Sequence, residues 1–99
     1  MNNRPASPSD RVLTREVTIV NRLGLHARPA AMFVRMAAQF EADVMVEREG
    51  NVVSGKSIMG LMTMEAEHGT LLRLTAQGPD AEQALEQLAQ LIQRKFGEE

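Results

Sequence analysis

The chain has 99 residues, 43% hydrophobic and 24% charged, with a formal net charge of −2. That is the size of one domain with a single modest core. It has no cysteine, Trp or Tyr and only three Phe. Disulfides, thiolate zinc sites and cysteine nucleophiles are therefore excluded, and nucleic-acid binding is disfavoured for want of a basic stripe or aromatic platforms. No apolar run approaches the ~18 residues of a membrane span, so no membrane insertion is expected and the cytoplasm is the expected location.

Residues 1–12 are rich in Asn, Pro, Ser and Arg with little to bury, and are expected to form a flexible N-terminal extension to a domain at 13–99. Residues 13–20 alternate as a strand, with Val17 and Ile19 on one side. Ala30, Phe33, Val34, Ala37 and Ala38 recur at helical spacing over 27–40, with Pro29 in the first turn, where a missing N–H costs little. Residues 43–48 and 52–54 read as a hairpin around Glu49-Gly50-Asn51. Ser57 is placed to cap a short helix at 58–64.

A loop at Glu67-His68-Gly69 leads to a strand over 70–76, with Leu72 and Leu74 on one face. The last helix is expected to be capped by Asp80 with Gln83 three residues on. Its apolar face is Leu85, Leu88, Leu91, Ile92 and Phe96, its last turn holds Arg94 and Lys95, and Gly97 stops it. The order βαββαβα predicts an α+β open-faced sandwich: a four-stranded antiparallel sheet with three helices on one face.

The run Gly24-Leu25-His26-Ala27-Arg28-Pro29-Ala30 sits at the first strand-to-helix junction. It puts an imidazole at a helix N-terminus with an arginine two residues on. Helix N-termini favour phosphate because their leading N–H groups lack intrahelical acceptors and the dipole is positive there. His26 is thus the candidate nucleophile toward phosphorus. Arg28 and the backbone N–H groups of Ala27 and Arg28 are the candidate anion holders.

That run, the second motif Gly55-Lys56-Ser57-Ile58-Met59-Gly60-Leu61-Met62 and the element order together resemble the histidine-containing phosphocarrier (HPr) family of the bacterial phosphoenolpyruvate-dependent sugar phosphotransferase system, or its nitrogen-type relative. The resemblance covers about 13–96. It implies that His26 is phosphorylated at Nδ1 by the phosphohistidine of Enzyme I and passes the group to an Enzyme II A-type acceptor. It implies that Arg28 assists the transfer. It also implies that Ser57 is a regulatory serine, modified in some bacteria by an ATP-dependent HPr kinase/phosphorylase, with a transcriptional regulator as a further partner. The protein would be a substrate of its partners rather than an enzyme acting on a small molecule, and it would need no cofactor.

Other readings compete residue by residue. A metal site at His26 lacks a second ligand at workable spacing, since His68 lies in another loop and reads as solvated. The run 50–57 fits the P-loop pattern G-x-x-x-x-G-K-S literally, but Val52 and Val53 favour extended structure and the following helix is short. Ile58, Met59 and Met62 crowd a short helix with apolar groups; Met59 and Met62 are expected to be exposed as a docking patch beside His26, with core packing as the alternative. Glu41, Glu65, Glu67, Glu86, Glu98 and Glu99 read as ordinary solvated surface. The alternative function is a regulatory binding module working through Ser57 and the methionine patch. A monomer is expected.

Overall fold

The computed structural model describes residues 10–98. The elements are β1 (Val12–Thr18), α1 (Ala27–Ala37), β2 (Asp43–Arg48), β3 (Asn51–Ser54), α2 (Ile58–Thr63), β4 (Leu71–Gln77) and α3 (Ala81–Gln93). All strand pairs are antiparallel, in the order β1-β4-β2-β3. Because β4 separates β1 from β2, those two run the same way, and α1 crosses between them as in a split β-α-β unit.

The register follows from which side chains must leave water. Val17 pairs with Leu72 and Leu74 with Val46, so all four lie on the face that meets the helices. Phe33 of α1, Leu61 of α2 and Leu88 and Ile92 of α3 are buried against it. The opposite face carries Thr14, Glu16, Arg73 and Gln77, all exposed. Phe33 sits at the centre of this core, and a large core side chain of this kind typically contributes about 3–5 kcal/mol relative to alanine.

Several expected boundaries move, each for a local reason. Val12, assigned to the extension, begins β1 and pairs with Gln77; residues 1–9 lie outside the described residues. β1 ends at Thr18, although Ile19 still exchanges backbone bonds with Thr70 and Gly69. α1 ends at Ala37 rather than near Phe40. Gln39 and Phe40 donate to carbonyls three residues back, which tightens the end of the helix and leaves Ala38 exposed. The β2–β3 turn is two residues, Glu49 and Gly50, at φ 48° and 85°. Two positive φ values suit the twist of a tight hairpin, and so Asn51 joins β3.

The end of α3 differs most. The helix stops at Gln93, and Lys95, Phe96 and Gly97 follow with φ of 59°, 54° and 76°. Burial of Phe96 at 1% exposure holds two non-glycine residues in a region they seldom occupy. Gly97 therefore extends a left-handed turn already begun, rather than stopping the helix.

Asp80 heads α3 but makes no capping bond with its side chain. Its carboxylate instead accepts from the N–H groups of Glu41 and Ala42, at 2.9 and 2.8 Å, which lie in the turn leading into β2. The Glu41 N–H, seconded by that of Ala42, holds the Asp80 carboxyl below its ordinary range. A carboxyl lowered by folding stabilises above its unfolded pKa, about 4, and the benefit disappears as pH falls through the lower folded value. Asp80→Asn is thus expected to be less stable than the parent in urea at pH 7, with a smaller gap at a pH below the ordinary carboxylate range. An equal gap at both pH values would contradict this role.

Candidate functional site

The loop from β1 to α1 is fastened at both ends. Asn21 is fully buried at 0% exposure, and its Nδ2 donates to the Gly24 carbonyl at 2.7 Å. The Leu25 N–H donates to Ala66 at 2.8 Å, and the His26 N–H to Gly24 at 3.0 Å. Gly24 has φ +74°, and a Cβ there would lie 2.6 Å from the Ala66 carbonyl oxygen. Both the handedness and the close approach require glycine. Leu25 is buried and anchors the loop next to His26.

His26 is the N-cap residue of α1, extended at φ −81° and ψ −171°. Its carbonyl takes the Ala30 N–H at 2.9 Å, but its ring makes no capping bond. The N–H groups of Ala27 and Arg28 head the helix, without intrahelical acceptors by geometry. Pro29, third in the helix, has no N–H and is buried. Arg28 is exposed. His26, Ala27 and Arg28 thus stand in sequence at the head of α1.

A partner for the imidazole was missed in the sequence. Glu98, expected to be ordinary surface, has a side chain only 19% exposed, and its Oε1 lies 3.0 Å from His26 Nε2, whose own side chain is 38% exposed. The same Oε1 accepts from Asn21 Nδ2 at 2.7 Å. The bond from Asn21, then that from His26, holds the Glu98 carboxyl below its ordinary range, with smaller charge contributions from His26 and Arg28. An ionised carboxylate only accepts, so in a neutral ring Nε2 carries the proton and Nδ1 the lone pair. Sequence separations of 72 and 77 residues left no local signal for these contacts. Glu86 is exposed surface as expected, and the bond it accepts from Arg15 at 2.7 Å holds its carboxyl low.

An open cleft of about 410 Å³ flanks His26, lined also by Leu23, Leu25, Arg48, Glu65 and Glu67. The Arg48 guanidinium is committed to the carbonyls of Met64 and Glu65 at the end of α2. The arginine of the cleft is thus already engaged, and the cleft stays open beside the His26 ring.

Ser57 caps α2 as expected, its Oγ accepting the Gly60 N–H at 2.9 Å. Ile58, Met59 and Met62 are exposed, Met59 at 79%, while Leu61 and Met64 fill the core. The helix packs against α1. The run 50–57 begins in the hairpin turn and continues through β3, so it forms a strand instead of a phosphate-wrapping loop. His68 is exposed in its own loop. Among the described residues, no three His, Asp or Glu side chains gather as metal ligands, and no helix is long and apolar enough to cross a membrane.

Comparison with known proteins agrees with this geometry. The profile of the PTS-HPr family, described as the PTS HPr component phosphorylation site, matches residues 13–94. Phosphocarrier protein HPr of Cupriavidus necator is 42% identical over 87 residues, spanning 88% of this chain and 98% of that protein. The HPr-like protein Crh of Bacillus subtilis is 44% identical over 84 residues, spanning 85% and 99%. The crystal structure of HPr-C-His from Thermoanaerobacter tengcongensis superposes with a TM-score of 0.85 at 44% identity, covering 88% of this chain and 98% of that one. By its sequence, its fold and the site at the head of α1, the chain belongs to the HPr family of phosphotransferase-system phosphocarriers.

Proposed function

We propose that His26 is the residue that carries the phosphoryl group, on Nδ1, and that Arg28 with the N–H groups of Ala27 and Arg28 steadies it. The observation that carries this reading is the partly exposed imidazole at the N-cap of α1, its Nε2 already engaged and its Nδ1 left with the lone pair. The donor is the phosphohistidine of Enzyme I and the acceptor an Enzyme II A-type protein, in the cytoplasm, with this protein acting as a monomer. The phosphocarrier domain starts at Val12, the first residue of β1, and the residues before it are an extension to it.

Phosphoryl transfer calls mainly for alignment and charge stabilisation, which two half-sites can supply when they meet. Contacts within this half must stay modest, or the group would not move on. Incubation with phosphoenolpyruvate and Enzyme I should add one phosphate that is labile in acid and stable in base. Acid-stable label alone would overturn the reading.

The exposed Ile58, Met59 and Met62 provide the apolar surface on which partners dock. Met59→Glu is expected to weaken Enzyme I binding about tenfold or more while changing stability by less than about 0.5 kcal/mol. A loss of several kcal/mol in urea unfolding would mean that Met59 packs internally.

Ser57 supports a second, regulatory reading. Its hydroxyl already serves as a helix cap, so a phosphate there would keep an acceptor oxygen at the helix end and be tolerated by the fold. The added charge would stand beside the exposed Met59 and oppose docking. With ATP and an HPr kinase/phosphorylase, acid-stable label should appear and be absent from Ser57→Ala; label on that variant would remove the regulatory role. A transcriptional regulator reading the Ser57 state would complete such a circuit.

A further inference from the structure

We propose that Glu98, held in place by the buried Asn21, is a positioning residue for phosphoryl transfer: it keeps the His26 proton on Nε2 and balances the charge of the ring once Nδ1 is phosphorylated. The proposal rests on His26 being the carrier. Its basis is a three-member chain, with Asn21 Nδ2 at 2.7 Å and His26 Nε2 at 3.0 Å from one Glu98 oxygen.

The Asn21 amide marks this chain as more than a chance surface contact. Both neighbours of its nitrogen, the Gly24 carbonyl and Glu98 Oε1, are acceptors, so the NH2 end is forced toward them. The carbonyl end is then buried with no hydrogen-bond partner among the described residues, a cost that native interiors usually avoid. An amide that only closed the loop would gain nothing by facing a carboxylate 77 residues away. The left-handed turn at Lys95–Gly97, locked by buried Phe96, brings Glu98 back over the loop. Local rules broken at two places thus converge on one imidazole, a pattern expected at functional sites.

The chemistry gains a definite form. The Nδ1 lone pair forms the new N–P bond, while the donor's N–P bond breaks and its electron pair returns to the donor nitrogen. Nε2 keeps its proton, so the phosphorylated ring is an imidazolium facing the Glu98 carboxylate. In the onward step the acceptor attacks phosphorus, and the leaving group is the neutral ring with the same proton in the same place. Neither direction requires a proton to move. The carboxylate stabilises the cationic ring without taking its proton, as carboxylates do beside catalytic histidines. An unprotonated phosphorylated ring would be the poorer leaving group.

Glu98 lies outside the helices and strands, so Glu98→Ala and Glu98→Gln should fold; Asn21→Ala is a less secure choice because the residue is buried. With 15N-labelled histidine at about pH 8.5, where an ordinary histidine is neutral, the parent should show a protonated Nε2 and an unprotonated Nδ1. Glu98→Ala should drift toward a mixture of both forms and accept phosphate from Enzyme I about three- to tenfold more slowly, the scale of one charge-assisted hydrogen bond at a partly exposed site.

Glu98→Gln can still accept from Nε2 and should keep the parent's tautomer, yet its phosphorylated ring should lose the Nε2 proton at lower pH than the parent's. An unchanged tautomer and rate in Glu98→Ala would overturn the proposal and leave His26 as carrier untouched. A parent protein that takes no acid-labile phosphate would overturn both.

Discussion

His26→Ala is expected to abolish uptake of acid-labile phosphate from Enzyme I while leaving the fold intact. The loss should be complete, because among the described residues no other histidine stands at the head of α1, and His68 is exposed in a separate loop. Stability should change little for three separate reasons. The ring makes no capping bond, so alanine forfeits no cap. The His26–Glu98 pair is partly exposed, and such pairs contribute about 0–1 kcal/mol. The backbone already occupies an extended conformation that alanine adopts readily. The melting temperature should therefore fall by less than about 8 °C. Residual label would show that another residue carries the group; a cooperative collapse of the fold would show that His26 is structural. Arg28→Ala should behave differently, slowing uptake without abolishing it, since it holds charge and forms no bond to phosphorus.

Gly24→Ala is expected to have the largest effect on the loop itself. Alanine at φ +74° costs about 1–2 kcal/mol, and here its Cβ would also meet the Ala66 oxygen at 2.6 Å and the Glu67 Cα at 2.9 Å. Both obstacles are backbone, so no side chain can rotate aside. The loop must lift away, breaking the Leu25 to Ala66 bond and moving His26 off the helix axis. We expect a loss of about 2–4 kcal/mol in urea unfolding. Transfer should slow about 10- to 100-fold, because misplacement by an ångström is costly when alignment is most of the catalysis. Gly50→Ala is the control. Gly50 has φ +85°, but a Cβ there meets nothing within 4 Å, so only the backbone strain should appear and transfer should keep the parent's rate. Equal effects at the two glycines would mean that the close approach to Ala66 is unimportant.

The contrast between those glycines also explains how much of this molecule could be read in advance. Features decided within a few residues were legible. Ser57 caps α2 because its hydroxyl reaches an N–H three residues on, and the stripe from Leu85 to Ile92 finds the core because helical spacing lines it up. The placement of His26 and Arg28 at the head of α1 followed from the strand, the glycine and the proline around them. Features decided by distant chain segments were not legible. Asp80 looked like a helix cap, but the N–H groups of Glu41 and Ala42, 39 and 38 residues earlier, take its carboxylate. Glu98 looked like loose surface because nothing near it in sequence foretells that Phe96 will turn the chain back onto the imidazole. For Asn21, only the folded loop reveals which way its amide faces.

The central claim is that this protein takes a phosphoryl group on His26 and gives it up again, and a two-step relay tests that most directly. The protein would be labelled from phosphoenolpyruvate and Enzyme I, freed of both, and mixed with an Enzyme II A-type acceptor. The label should leave His26 and appear on the acceptor, with no loss to inorganic phosphate beyond slow hydrolysis. Label that stays on the protein in the presence of acceptor, or that is found at Ser57 rather than His26, would contradict the account.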